Sequence, residues 1–341
     1  SIIVFYPKEG VSPVQERQMI TQKGENTHVI GIRGNFDDAQ TGVKKIFSDK
    51  DLRKELLEAG CLFSSANSIN IGRLVPQIAY YVYAYTRLIG EGVIKSGDPV
   101  NFTVPTGNFG NILAAYFAMK IGIPVRKLIC ASNKNNVLFD FFRTGTYDKN
   151  RTFYVTSSPS MDILVSSNLE RLLYLADGRN AEETSERMKE LTEKGIYSIS
   201  EDMKKEMSAF VGSYSTEEEV METIHDLYEK DRYVIDPHTA VGAHACRKYT
   251  EETNDHTPAV IASTASPYKF GRSVLHAVGN GIYDEQDDTE QFYTLEKVSS
   301  VPIPGAIQEL LHAEVRHRTV TDPDKMKDAV RSWILGRRKR S

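Results

Sequence analysis

Apolar runs with the look of buried strands alternate along the chain with stretches of helical period, beginning with Ser1-Ile2-Ile3-Val4-Phe5-Tyr6. Near-continuous apolar runs mark strands covered on both faces. After the first run, Ser12-Pro13-Val14-Gln15 supplies a capping hydroxyl, a proline at the first helical position and a glutamine at the third, so a helix is expected to about residue 22. Residues 27–32 read as a second strand and 37–47 as a helix. The alternation continues with a helix at 74–89, a strand at 102–105, a helix from 110, a strand at 125–131 and a helix at 136–143 that stops at Gly145. This order specifies an α/β fold with parallel sheets flanked by helices.

The pattern changes between residues 161 and 233. No strand stands out there, and charge-rich helical stretches follow one another at 163–175, 181–194, 201–211 and 217–230, the last opened by the capping pair Thr216 and Glu219. A helical insertion is expected. Alternation resumes with a helix at 237–249, a strand at 259–262 and a helix at 272–278. Two C-terminal helices are expected at 307–317 and 324–335.

The sharpest single feature is the stretch 101–122, NFTVPTGNFGNILAAYFAMKIG, in which a strand pattern breaks at Gly107-Asn108-Phe109-Gly110-Asn111 and passes into a helix. Glycines allow a tight turn and close approach of a ligand, and the unpaired N–H groups of the helix start favour an anion, with phosphate the expected guest. The spacing fits neither G-x-x-x-x-G-K-[ST] nor G-x-G-x-x-G, which weakens the ATP and dinucleotide readings. A plain strand-to-helix turn is the competing reading.

Composition narrows the class. The chain has 341 residues, 26% of them charged, with net charge −4 and a basic run only at Arg337–Arg340, so a broad cationic nucleic-acid surface is not expected. No apolar window approaches the ~18 residues of a membrane span. Three cysteines, Cys61, Cys130 and Cys246, lack the spacing of a disulfide framework or a zinc site, and the six-residue separation of His238 and His244 is poor for a shared metal, so a cytoplasmic protein without a metal is expected. The chain starts inside a strand, and upstream sequence is expected.

Seven ordered stretches carry a resemblance: FYPKEGVSPVQERQM at 5–19, GNFDDAQ at 34–40, SANSINIGRLVPQIAYY at 65–81, VPTGNFGNILAAYFA at 104–118, SPSMDILVSSNLERLL at 158–173, DPHTAVG at 236–242 and STASPYKF at 263–270. Together they resemble threonine synthase, the pyridoxal 5'-phosphate enzyme that converts O-phospho-L-homoserine and water to L-threonine and phosphate as the last step of threonine biosynthesis. From about residue 284 onward no stretch matches as sharply. The resemblance implies a fold-type II, tryptophan synthase β-like architecture. It divides the chain into a small α/β domain at 1–63, the first part of a large cofactor-binding domain at 64–160, the helical insertion at 161–233 and the remainder of the large domain at 234–341.

By resemblance, Gly107, Asn108, Phe109, Gly110 and Asn111 hold the cofactor phosphate, in agreement with the independent anion-site reading. Thr264, at the end of a late strand, matches the hydroxyl that meets the pyridine nitrogen. Asn67, Ser68 and Arg73 match the substrate-phosphate site, where a guanidinium fork suits a phosphate. Without the resemblance, Arg73 would read as part of a solvated helix face and Thr264 as a strand cap. His238 invites a general-base role, against the plainer reading of a structural histidine at a helix start. The Schiff-base lysine of the family has no match in these residues, so the catalytic residue is unassigned and inactivity of the chain alone is expected. A phospholyase of related sequence and a non-catalytic binding protein of the same fold remain as alternatives.

Overall fold

The computed structural model describes residues 1–34, 36–64 and 70–338, and the chain divides into two compact units, residues 1–64 with 286–341 and residues 65–285. Among the described residues there are nine strands: β1 (Ile2–Pro7), β2 (Thr27–Ile32), β3 (Val100–Pro105), β4 (Val125–Ser132), β5 (Thr146–Asp148), β6 (Ile196–Ser198), β7 (Phe210–Tyr214), β8 (Ala259–Ile261) and β9 (Thr319–Thr321).

The first unit holds a parallel sheet in the order β1-β2-β9. Its first helix, Pro13–Ile20, starts as its sequence requires: Gln15 N donates to Ser12 Oγ at 3.3 Å and Ser12 N donates back to Gln15 Oε1 at 3.1 Å. Ile32, Ile46, Leu52 and Leu56 form its core with Met326 and Val330. The C-terminal segment therefore falls elsewhere than the sequence division at 234–341 expects: residues 286–341 join residues 1–64. The reason is long-range pairing, since β9 lies beside β2 and the Trp333 ring stacks on His28 at 3.9 Å. A three-residue strand nearly 290 positions from its partner leaves little periodic signal.

The second unit is built on a parallel sheet in the order β7-β4-β3-β8. All six residues of β3 are buried, as its unbroken apolar pattern requires. Val100, Phe102 and Val104 pack in one core with Ile112, Leu113 and Tyr116 of helix Gly110–Lys120, each large side chain contributing about 1.5–3 kcal/mol through burial. Tyr81, on helix Ile78–Gly90, meets Phe102 edge to face at 5.0 Å. Helix Pro237–Thr253 packs against β3, β4, β7 and β8. Its Gly242 permits that approach, for a Cβ there would stand 3.1 Å from both Ile261 and Pro105.

The stretch read as wholly helical also contains strands. Helix Glu201–Glu206 ends early, and residues 210–214 become β7, paired with β4 along Leu128–Ser132. β6 pairs with β5 in an antiparallel ribbon whose Tyr147 and Tyr197 rings stack at 5.3 Å. Amphipathic charge before β7 masks a strand whose partner lies more than 80 residues upstream.

Because the four strands of this sheet are parallel, the loops after β3, β4 and β8 leave from one edge. Open α/β sheets bind ligands at that edge.

Candidate functional site

The loop after β3 is shaped by a conflict between its backbone and its core. Phe109 has φ 64° and ψ 0°, left-handed values that cost a non-glycine residue about 1–3 kcal/mol. Its ring is 1% exposed and packs against Phe142 and Phe210 at 6.0 and 5.7 Å, so the core holds the backbone in this turn. Helix Gly110–Lys120 begins directly afterwards, and no side chain caps it. The first N–H groups of that helix have no partner within it.

The carbonyls of the loop are tied back on one side. Ser166 Oγ donates to Gly107 O at 2.7 Å, and Asn168 donates to Asn108 O through N at 3.1 Å and through Nδ2 at 2.8 Å. In a trans peptide the N–H opposes the carbonyl, so these bonds turn the N–H groups of Asn108 and Phe109 away from Ser166 and Asn168. Ser167 Oγ adds a 3.2 Å bond to Asn108 Oδ1. Gly107 also lies against the backbone of residue 160, where an added Cβ would stand 2.5 Å from the carbonyl oxygen. The result is a set of fixed N–H donors at the positive end of a helix, the physical requirement for holding a phosphate.

Asn111 and Thr264 line one cleft of about 530 Å³, with Tyr80, Tyr81, Ala84 and Ser263 among its other walls. Tyr81 OH donates to Asn111 Oδ1 at 2.6 Å, and burial raises its phenol well above the ordinary tyrosine value, so it stays a donor. Thr264 is exposed just beyond β8 and contributes an uncharged, hydroxyl-bearing side chain to the lining of the cleft. Among the described residues, no lysine lines this cleft.

Of the expected substrate-phosphate residues, Asn67 and Ser68 lie outside the described residues. Arg73 is exposed on the short helix Ile71–Leu74, whose start is capped by Asn70 Oδ1 accepting from Gly72 N at 2.9 Å. This helix packs against helix Gly110–Lys120.

His238 does not offer a free nitrogen. Its Nε2 accepts from Ser160 N at 3.2 Å, which leaves the proton on Nδ1, 3.0 Å from Asp236 Oδ1. The ring is 2% exposed and packs on Phe270. Its place is structural, as the plainer reading of the sequence has it. The Cys130 thiol, within β4, is pushed up to about 12 by burial and is no nucleophile. Among the described residues no group of three or more His, Cys, Asp or Glu side chains is arranged to hold a metal, and no helix is long and apolar enough to cross a membrane.

Sequence reasoning missed Ser166, Asn168 and Tyr81 as supports of the loop, although all three fall inside the matching stretches. The available signal was a loop with several carbonyls to satisfy and a polar SSN triplet within one of those stretches.

Comparison with known proteins bears on the same stretches. The family profile described as "Threonine synthase, C-terminal" matches residues 239–334. Human "Threonine synthase-like 1" is 40% identical over 305 residues, covering 89% of this chain and 40% of that protein. The threonine synthase of Schizosaccharomyces pombe is 39% identical over 302 residues, covering 82% of this chain and 57% of its own. The crystal structure of PLP-bound threonine synthase from Brucella melitensis superposes with a TM-score of 0.79 at 35% identity, over 98% of this chain and 64% of that one. The chain thus spans between two fifths and two thirds of the length of these relatives. With these matches running through both of its units, the chain is similar to threonine synthases along most of its length and has their fold-type II architecture.

Proposed function

We propose that the protein containing these residues is a pyridoxal-phosphate-dependent threonine synthase, which converts O-phospho-L-homoserine and water to L-threonine and phosphate. The observation that carries this reading is the shared cleft: Asn111, in the first turn of the uncapped helix after β3, and Thr264, after β8, line one space. The relatives named above are threonine synthases or are named for likeness to them, and the Brucella structure is described as PLP-bound.

The residues present fit that cofactor. Backbone N–H groups of Gly107 to Asn111 would hold its phosphate, where the helix dipole favours negative charge. Thr264 would meet the pyridine nitrogen. When bound, the cofactor supplies an electron sink for charge that develops at the substrate carbons. A neutral hydroxyl partner leaves the ring nitrogen less firmly protonated than a carboxylate would. Arg73, with Asn67 and Ser68, would orient the substrate phosphate through charge-assisted bonds. We assign the Schiff-base lysine to no residue of this chain.

Product analysis of the full-length protein with O-phosphohomoserine tests the reading. Threonine and phosphate in equal amounts are expected; a 2-keto acid and ammonia without threonine would point to a phospholyase and overturn it. For Arg73→Ala, the expected result is a KM for O-phosphohomoserine raised at least about tenfold, the loss of one bond to a charged group, with cofactor absorbance intact. Equal loss of cofactor would remove Arg73 from the substrate site.

A further inference from the structure

Asp236 is completely buried at the start of helix Pro237–Thr253, and its carboxylate is bonded toward two different segments, the loop after β3 and the end of β8. Oδ1 accepts from His238 N at 2.9 Å and from His238 Nδ1 at 3.0 Å. The far nitrogen of that ring accepts from Ser160 N, and the carbonyl of the same residue is the atom against which Gly107 is pressed. Oδ2 accepts from the Thr239 hydroxyl, whose oxygen is also 3.2 Å from Ser263 Oγ. Ser263 immediately precedes Thr264 and lines the cleft with it. One buried carboxylate therefore has an arm to the loop after β3 and another to the end of β8.

We propose that Asp236 is a positioning residue that sets the spacing between the phosphate end and the ring end of the cofactor cleft, acting through His238 on the first and through Thr239 on the second. The inference rests on the cofactor reading given above. A buried carboxylate is stable only when its lone pairs are satisfied, so its partners are held in fixed places. The tautomer follows from the same geometry, because a backbone N–H can only donate and Nε2 must accept from it. The relay requires no proton transfer. Its role is to keep the loop donors and the Thr264 hydroxyl at one separation while a rigid ligand bridges them.

The test uses the full-length protein and 4'-deoxypyridoxine 5'-phosphate, an analogue that cannot form a Schiff base, so that binding reports placement alone. Inorganic phosphate serves as a probe of the phosphate end. Thr239→Val, which keeps the side-chain shape and cuts only the second arm, is expected to weaken the analogue about tenfold, equivalent to ~1.4 kcal/mol, while leaving the affinity for inorganic phosphate within twofold. Thr239→Ser, which restores the hydroxyl, is expected to recover the analogue affinity. Asp236→Asn is expected to weaken both ligands, with hydrogen exchange at Ser160 accelerated. Unchanged analogue binding by folded Asp236→Asn and Thr239→Val would overturn the relay, as would equal loss of phosphate and analogue in Thr239→Val. Failure of the wild-type protein to bind the analogue would instead overturn the cofactor reading, and the relay with it. Should Asp236→Asn not fold, the two Thr239 variants decide the question alone.

Discussion

Two strand–turn–helix units in this chain share a local plan and end differently. After β1, helix Pro13–Ile20 closes its own start with the reciprocal bonds of Ser12 and Gln15. After β3, helix Gly110–Lys120 has no such cap, and its preceding residue is a left-handed phenylalanine locked into the core. The first satisfies its own backbone; the second leaves donors for something else. An uncapped helix start has diagnostic value here because the neighbouring carbonyls are tied back by Ser166 and Asn168, so only the N–H side of the loop is left for a ligand.

That contrast can be broken most strongly at Phe109. Phe109→Ala removes the core anchor while retaining the left-handed backbone requirement, and a loss of about 3–5 kcal/mol in a denaturant titration is expected. Gly107→Ala comes next: its Cβ would meet a carbonyl oxygen at 2.5 Å, and the displacement is expected to cost about 1–3 kcal/mol of stability and most cofactor affinity, measured by analogue fluorescence. Ser166→Ala frees the Gly107 carbonyl and is expected to cost about 1 kcal/mol with a several-fold loss of analogue affinity. Ser12→Ala sharpens the contrast from the other side, because loss of a capping box is expected to lower stability by about 1 kcal/mol and leave analogue affinity unchanged. Binding loss in Ser12→Ala, or none in Gly107→Ala, would erase the distinction between the two helix starts.

The parts of the fold that could be read from the sequence are those whose signal is local. The buried strand β3, the glycine turn after it and both capping boxes opening the helices at Pro13 and Glu217 are set by residues within a few positions of one another. β7 and β9 were hidden because each is short and pairs with a strand far away in the chain, so that neither composition nor period marks it. The site divides in the same way. Gly107 to Asn111 announce themselves by spacing, whereas Ser166, Asn168 and Asp236 act on that loop through folding partners roughly 60 to 130 positions away, and no local pattern distinguishes them from ordinary polar residues. Thr264 was legible through the resemblance alone, its position beside Asn111 being a product of the sheet order.

The most direct test of the central claim is a crystal structure of the full-length protein with pyridoxal phosphate bound. The phosphate is expected on the N–H groups between Gly107 and Asn111, with the pyridine nitrogen at the Thr264 hydroxyl. A cofactor bound with its phosphate elsewhere, leaving the helix start at Gly110 in contact with water, would contradict the account.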